Sequence, residues 1–280
     1  MKSRRMDRAV LEGIELEYEV RGAGEPVVLV HGGIFPDFFR PLWEQPALSG
    51  RYCVVSYHRI GCADSGRIAG PVSIAQEAQH CRSLMRHLGI ERSHIVGHSN
   101  GGNLVLQLAL DAPDAVHSLV LQEPALMSVP SVHTARTFIA TAFQHYTAGD
   151  KAGAIDTFLQ GTCGPGYRAV LDASLPGSFD RYVADADTFF GRQLPAMQQW
   201  SFLQEDASRI TQPVLAVIGA KSREQSPIWN ERQELLLAWL PNVEPFVLPD
   251  AGHLMQVENP CGMAEGLAAF FARHPLSASS

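Results

Sequence analysis

Cysteine is sparse in this 280-residue chain, and Cys53, Cys62, Cys81, Cys163 and Cys261 are odd in number, scattered and never in CxxC spacing. That pattern disfavours both a disulfide framework and a zinc site, and it fits a reducing, cytoplasmic setting. Long apolar runs are also lacking. Nothing approaches the roughly 18 residues of a membrane span, and no apolar stretch follows the basic start as a secretory leader requires. Positive charge is scarce: 22 Lys and Arg against 29 Asp and Glu give a formal net charge of −7. With no basic face to neutralise a phosphate backbone, nucleic acid is not an expected partner. The one basic run, Lys2, Arg4, Arg5 and Arg8, reads as a solvated terminus and is given no role. Internal repeats are absent, and low complexity is confined to Ser277-Ala278-Ser279-Ser280.

What is present is the composition of an ordinary globular chain, 46% hydrophobic and 18% charged, long enough to bury a large core. From Leu11 to Val20, apolar Ile14, Leu16, Tyr18 and Val20 alternate with Glu15, Glu17 and Glu19, which predicts a half-buried strand at a sheet edge. The runs Val27 to Val30, Cys53 to Val55, Ile95-Val96, Leu119 to Leu121 and Val214 to Ile218 are continuously apolar. Strands of that kind need cover on both faces, hence a mostly parallel sheet between helices. Helices are expected over Ser73 to Leu88, where Ser73 and Gln76 have capping-box spacing, and over Asn100 to Ala112. Ser226-Pro227 and Asn259-Pro260 each open a further helix.

The alternation of strand and helix stops between Pro124 and Ser208. That segment reads as about four short helices broken by Gly149, Gly161, Gly164-Pro165-Gly166, Pro176-Gly177 and Pro195. It holds 11 of the chain's 23 aromatic residues, enough to line an apolar pocket, to form a small core of its own, or both.

The chemistry centres on Gly97-His98-Ser99-Asn100-Gly101. A G-x-S-x-G match alone is weak, since chance supplies one in roughly a tenth of chains this long. Here it follows the apolar Ile95-Val96 and opens a helix, which is the strand-turn-helix setting that exposes a nucleophilic serine. A serine hydroxyl needs a base, and the base needs an orienting partner. His253, in Asp250-Ala251-Gly252-His253 between the last strand (Val243 to Leu248) and the last helix, is the best placed of eleven histidines. His94 and His98, four apart on a strand, stand about 13 Å apart and cannot share a metal ion. Val30-His31-Gly32-Gly33 ends a strand in a glycine turn. The backbone N–H groups of Gly33 and Asn100 are the candidate oxyanion donors.

Taken in order, Val30-His31-Gly32-Gly33, the Ser99 pentapeptide, the helical insert and Asp250-Ala251-Gly252-His253 resemble the α/β-hydrolase superfamily over nearly the whole chain. The resemblance implies a core of residues 1–123 and 209–280 and a helical cap of residues 124–208 inserted after the sixth strand. It also implies the chain order nucleophile, acid, histidine. Relatives usually read Gly-x-x-Asp after the strand ending at Ile218, with that Asp as the acid; this chain has Gly219-Ala220-Lys221-Ser222. Some superfamily members carry the acid after the preceding strand instead, where Glu123 stands. Glu123 is therefore favoured over Glu224, and Glu224 over Asp250. Tyr57-His58-Arg59 replaces a frequent Asp-Arg, and a structural role for His58 is favoured over a pocket-facing one.

The resemblance thus implies a serine hydrolase acting on an ester or lactone through Ser99, His253 and Glu123, with no metal or organic cofactor. Its expected partner is a bulky or apolar small-molecule substrate, and it is expected to be a monomer or homodimer. A serine at position 99 argues against dehalogenase and epoxide hydrolase chemistry, which needs Asp there. The alternatives are carbon-carbon bond hydrolysis of a diketone or ring-cleavage product, and a ligand-binding receptor on the same scaffold.

Overall fold

The structure, a computed structural model, describes residues 6–67 and 70–276. Lys2, Arg4, Arg5 and Ser277 to Ser280 lie outside the described residues. Arg8 is not idle, since it pairs with Glu15 at 2.9 Å and Glu17 at 3.1 Å.

Eight strands form one sheet: β1 (Asp7–Leu11), β2 (Ile14–Arg21), β3 (Glu25–Val30), β4 (Tyr52–Tyr57), β5 (Ser93–His98), β6 (Val116–Gln122), β7 (Val214–Gly219) and β8 (Val243–Leu248). Their order is β1-β2-β4-β3-β5-β6-β7-β8. The pairs β1/β2 and β2/β4 are antiparallel and all others parallel. The apolar runs predict this central sheet because every second residue feeds one face. Val28, Val30, Ile95, Leu119 and Leu121 pack with Leu104 and Leu84 on one side. Val27, Leu29, Val96, Val120 and Val217 pack with Leu267, Phe270 and Phe271 on the other.

The single edge strand expected over Leu11 to Val20 is a correction. The chain reverses at Glu12-Gly13, where both residues have positive φ (51° and 87°), as a two-residue hairpin turn with right-handed strand twist demands. β1 takes the edge and β2 lies inside it. The glutamates of β2 are not simply solvent-facing either, since Glu17 is buried while Val20 is exposed.

Helices cover both faces. Ser73 caps Ile74–His87 through a reciprocal box with Gln76, and the Asn259 side chain accepts from Gly262 N–H at the start of Pro260–Arg273. Pro227–Trp239 begins where expected, although the Ser226 side chain makes no capping bond. Between β6 and β7 no strand occurs among the described residues. The insert is more finely divided than about four helices: Val132–Thr147, Lys151–Cys163, Tyr167–Ser174, Ser178–Ala184, Ala186–Thr188, Leu194–Gln199 and Gln204–Arg209, with a π-type turn over Phe189–Gln193. Gly161 and Pro195 break nothing. Gly161 lies inside its helix, where a methyl group would run into the Phe138 ring of the preceding helix; Pro195 sits in a first turn, where its missing N–H costs little. Among the described residues no helix is long and apolar enough to cross a membrane.

Candidate active site

β5 ends at His98 and the helix Asn100–Asp111 begins one residue later, so Ser99 occupies the reversal alone with φ 52° and ψ −123°. A non-glycine residue there is strained by about 1–3 kcal/mol and must be held by its surroundings. The holding is visible: Ser99 N–H donates to the Gln122 carbonyl at 2.9 Å, and its own carbonyl accepts from Gly102 and Ala125. The flanking glycines permit the turn. A methyl group on Gly97 would lie 2.6 Å from the Gly101 carbonyl, and one on Gly101 would collide with the carbonyls of Val30 and His31.

These bonds tie the turn to the end of β6, where Glu123 also has a positive φ of 45°. Its carboxylate, 3% exposed, accepts from Gly219 N–H at 2.9 Å and lies 2.6 Å from His253 Nδ1. The structure thus brings Glu123 and His253 together. Glu224 and Asp250 are exposed and make no hydrogen bond to the imidazole. Ser222, at the position where relatives carry Asp, is fully buried beside this pair in the helix Ala220–Gln225. Burial pushes the Glu123 carboxyl up, against the pull of the Gly219 N–H, the Ser222 hydroxyl, His98 and Arg232. Burial, and then the Arg232 charge, pushes the His253 imidazole down.

The imidazole of His253 is clamped. Its ring stacks on Trp229 (4.6 Å, 27°) and faces His98 (4.6 Å, 39°), while His98 Nε2 donates to the His253 carbonyl at 3.0 Å. His253 Nε2, the nitrogen turned away from Glu123, is buried and has no hydrogen-bond partner among the described residues. His94 is satisfied elsewhere, by Ser118 and Glu25. His58 is buried between Glu17 at 3.1 Å and Asp37 at 3.5 Å. Burial opposes its charge, yet the two carboxylates outweigh it and raise its pKa, a structural ion cluster outside the cavity.

Ser99, Gly33 and Asn100 line one cavity of about 210 Å³. Phe35, Phe138, Ile139, Phe158, Phe189 and Trp229 make its walls mainly apolar. The volume exceeds the roughly 150 Å³ that admits a benzene ring. Only three of the insert's aromatics, Phe138, Phe158 and Phe189, reach it; of the others, Phe190 stacks on Tyr146 within the insert and Tyr182 packs edge-on against Phe35 of the core segment. The glycine turn is braced from behind by Arg59. Its backbone N–H donates to His31 Nε2 at 3.0 Å, and its guanidinium is held by both Glu77 carboxylate oxygens, at 2.6 and 2.7 Å, while reaching the His31 carbonyl. Sequence reasoning did not single out Arg59, Glu77, Trp229 or Arg232. Arg59 and Glu77 carry a weak signal, a charged residue beside an apolar strand and another on the apolar side of a helix.

Residues 27–265 match the model of the alpha/beta hydrolase family. A protein named as a candidate carbamate hydrolase, RutD, of Azorhizobium caulinodans is 40% identical over 108 residues, 38% of this chain and 40% of that protein. This chain therefore covers less than half of that relative's length. Among solved structures, the enol-lactonase of Burkholderia xenovorans LB400 superposes with a TM-score of 0.80 at 21% identity, over 95% of this chain and 100% of the other. A thermophilic esterase of Thermogutta terrifontis gives 0.78 at 21% identity, over 97% and 100%. At such identities the likeness is one of fold.

Proposed function

Because this chain belongs to the alpha/beta hydrolase family, we propose that it is a serine hydrolase cleaving a carboxylic ester or lactone through an acyl-enzyme intermediate. The observation that carries the reading is the 2.6 Å contact between His253 Nδ1 and Glu123 Oε2, behind a strained Ser99 in the same cavity wall as Gly33 and Asn100. With Nδ1–H donated to Glu123, Nε2 is left as the acceptor that a serine proton requires. His253 takes that proton as Ser99 Oγ attacks the carbonyl carbon, and the N–H groups of Gly33 and Asn100 receive the oxyanion. The imidazolium returns the proton to the departing alcohol oxygen. Water, deprotonated by the same Nε2, then attacks the acyl-enzyme carbonyl, and the imidazolium returns that proton to Ser99 Oγ as the acid departs. The bond between Ser99 and Nε2 belongs to the substrate complex, since such bonds are often long before substrate binds and tighten with it. Residues 124–208 act as a helical cap over a core of 1–123 and 209–280, supplying apolar walls that exclude water from the reacting carbonyl.

A fluorophosphonate probe and a panel of aryl esters, lactones and carbamates test this directly. Wild-type protein is expected to label at Ser99 and turn over esters or lactones. Ser99→Ala is expected to lose both while keeping its thermal midpoint. Absence of labelling and of turnover across the panel would leave a ligand-binding protein on a hydrolase scaffold.

A further inference from the structure

Arg232, on the helix Pro227–Trp239, lies in the wall of the Ser99 cavity and is only 6% exposed. Its Nε–H donates to the Leu126 carbonyl at 2.9 Å, and its Cζ stands 5.0 Å from the centroid of Trp229. Among the described residues neither Nη donates a hydrogen bond and no carboxylate is within ion-pair reach. The two carboxylates that feel its charge, Glu123 and Glu231, are engaged elsewhere. Glu123 is held by His253 and Gly219, and Glu231 by the N–H and hydroxyl of Ser131 at 2.7 and 2.6 Å. Contrast Arg59, also buried but closed off by Glu77. A buried cation with no carboxylate in contact is costly, because the more distant charges of Glu123 and Glu231 offset its desolvation only in part. Burial lowers the guanidinium to about 10, so it is still charged at neutral pH. A second polar group in the same wall is also unanswered: Thr162 Oγ1 is buried, in a residue 8% exposed, with no hydrogen-bond partner among the described residues.

We infer that the cavity takes a substrate with an apolar body and a carboxylate remote from the scissile bond, and that Arg232 pairs with that carboxylate, aided by Thr162. The geometry favours a carboxylate. With Nε committed to Leu126, the two Nη groups present an end-on fork that matches the two oxygens of a planar anion. The apolar walls would otherwise reject such a charge, so the counter-charge decides which acids and esters enter. This rests on the serine-hydrolase reading for the position of the scissile bond, but the anion site can be tested apart from it.

Monoesters of six- to eight-carbon dicarboxylic acids are compared with neutral esters of the same length. In one series the carboxylate is on the acyl chain and in the other on the leaving alcohol, and each enzyme is assayed above its own acid limb. In wild-type protein at least one series is expected to favour the anionic substrate by tenfold or more in kcat/KM. Arg232→Gln is expected to bring that ratio to one or below, and Arg232→Lys to leave an intermediate ratio. Ratios near one in both wild-type series, or a preference that survives in Arg232→Gln, overturn the proposal while neutral-ester turnover and Ser99 labelling keep the hydrolase reading. If Ser99 neither labels nor turns over any ester, calorimetry with adipate and with hexanediol decides. Saturable adipate binding lost in Arg232→Gln upholds the anion site, and no adipate binding by wild-type protein removes it.

Discussion

At the scale of single residues, the proposed reaction makes the His253–Glu123 pair, 2.6 Å apart, the determinant of both rate and pH dependence. Its working form, neutral imidazole and ionised carboxylate, carries a net negative charge that burial disfavours. Burial accordingly raises the carboxyl and lowers the imidazole, and two groups 2.6 Å apart titrate as one unit. The inactivating proton leaves that unit as pH rises, so kcat/KM climbs along an acid limb. Burial moves the limb up, and the Arg232 charge, which lowers both groups, moves it down. Two substitutions then have opposite signs. Glu123→Gln leaves His253 alone, where burial without a carboxylate resists the cation; the limb is expected at lower pH, with kcat reduced on the order of 10⁴-fold. Arg232→Gln is expected to move the limb to higher pH. Glu224→Gln, at an exposed position, should alter neither. The pH–rate profiles of the three variants check this, and an unmoved limb in Glu123→Gln or a large loss in Glu224→Gln would take the acid away from Glu123. Glu123 is legible in the sequence because a carboxylate just beyond the apolar run Leu119 to Leu121 has no bland reason to be there, and because position 222 lacks the Asp that relatives usually carry. Arg232 is not. An arginine on a helix is ordinarily solvent-facing, and only the packing of Pro227–Trp239 turns this one inward.

At the scale of elements, the Ser99 turn and the His31-Gly32-Gly33 turn hold each other in place. Gly101 brings the helix Asn100–Asp111 against the carbonyls of Val30 and His31 so closely that no Cβ fits. Since backbone carbonyls cannot yield as a flexible side chain does, Gly101→Ala is expected to cost about 1–3 kcal/mol and to displace the N–H of Gly33, the proposed oxyanion donor. Gly166→Ala is its control. There a methyl meets nothing within 4 Å and φ is −84°, so a neutral or slightly stabilising change of under about 1 kcal/mol is expected. Urea titrations of both, with kcat measured at low urea, check the pair; equal effects would remove the close approach as the cause. The strands flanking these turns are readable because burial on both faces leaves continuous apolar runs. The hairpin at Glu12-Gly13 is not, because the left-handed conformation of Glu12 follows from β1 pairing with β2 rather than from a turn-favouring residue. The insert is harder for a related reason. Gly161 looks like a break in the chain but serves a contact with Phe138 from a different helix, which local pattern cannot report.

At the scale of the whole molecule, the apolar interior explains why the insert and the sheet act together. Two clusters lie on the two faces of the sheet. The third joins insert residues such as Ile155, Leu171, Tyr182 and Phe190 to Phe35, Phe38, Ile218, Trp229 and Leu254 from the core segments. Core and insert are separate stretches of sequence, but this shared cluster includes Trp229, the ring on which His253 stacks. Loosening the insert should therefore loosen the imidazole. Leu171, fully buried on the helix Tyr167–Ser174, offers a way to read that coupling far from Ser99. Leu171→Ala removes buried methyl groups and leaves a cavity, for an expected loss of about 2–5 kcal/mol. At roughly 2–4 °C per kcal/mol for chains of this order of size, the thermal midpoint should fall by several degrees or more. Because the third cluster is continuous, one cooperative transition is expected, with the calorimetric signal, tryptophan fluorescence and the proposed hydrolase activity changing at the same temperature. If the insert were an independent unit, activity would instead disappear in a first, smaller transition while the sheet stayed folded. Scanning calorimetry of wild-type protein and Leu171→Ala, with activity sampled along the same temperature ramp, distinguishes the two.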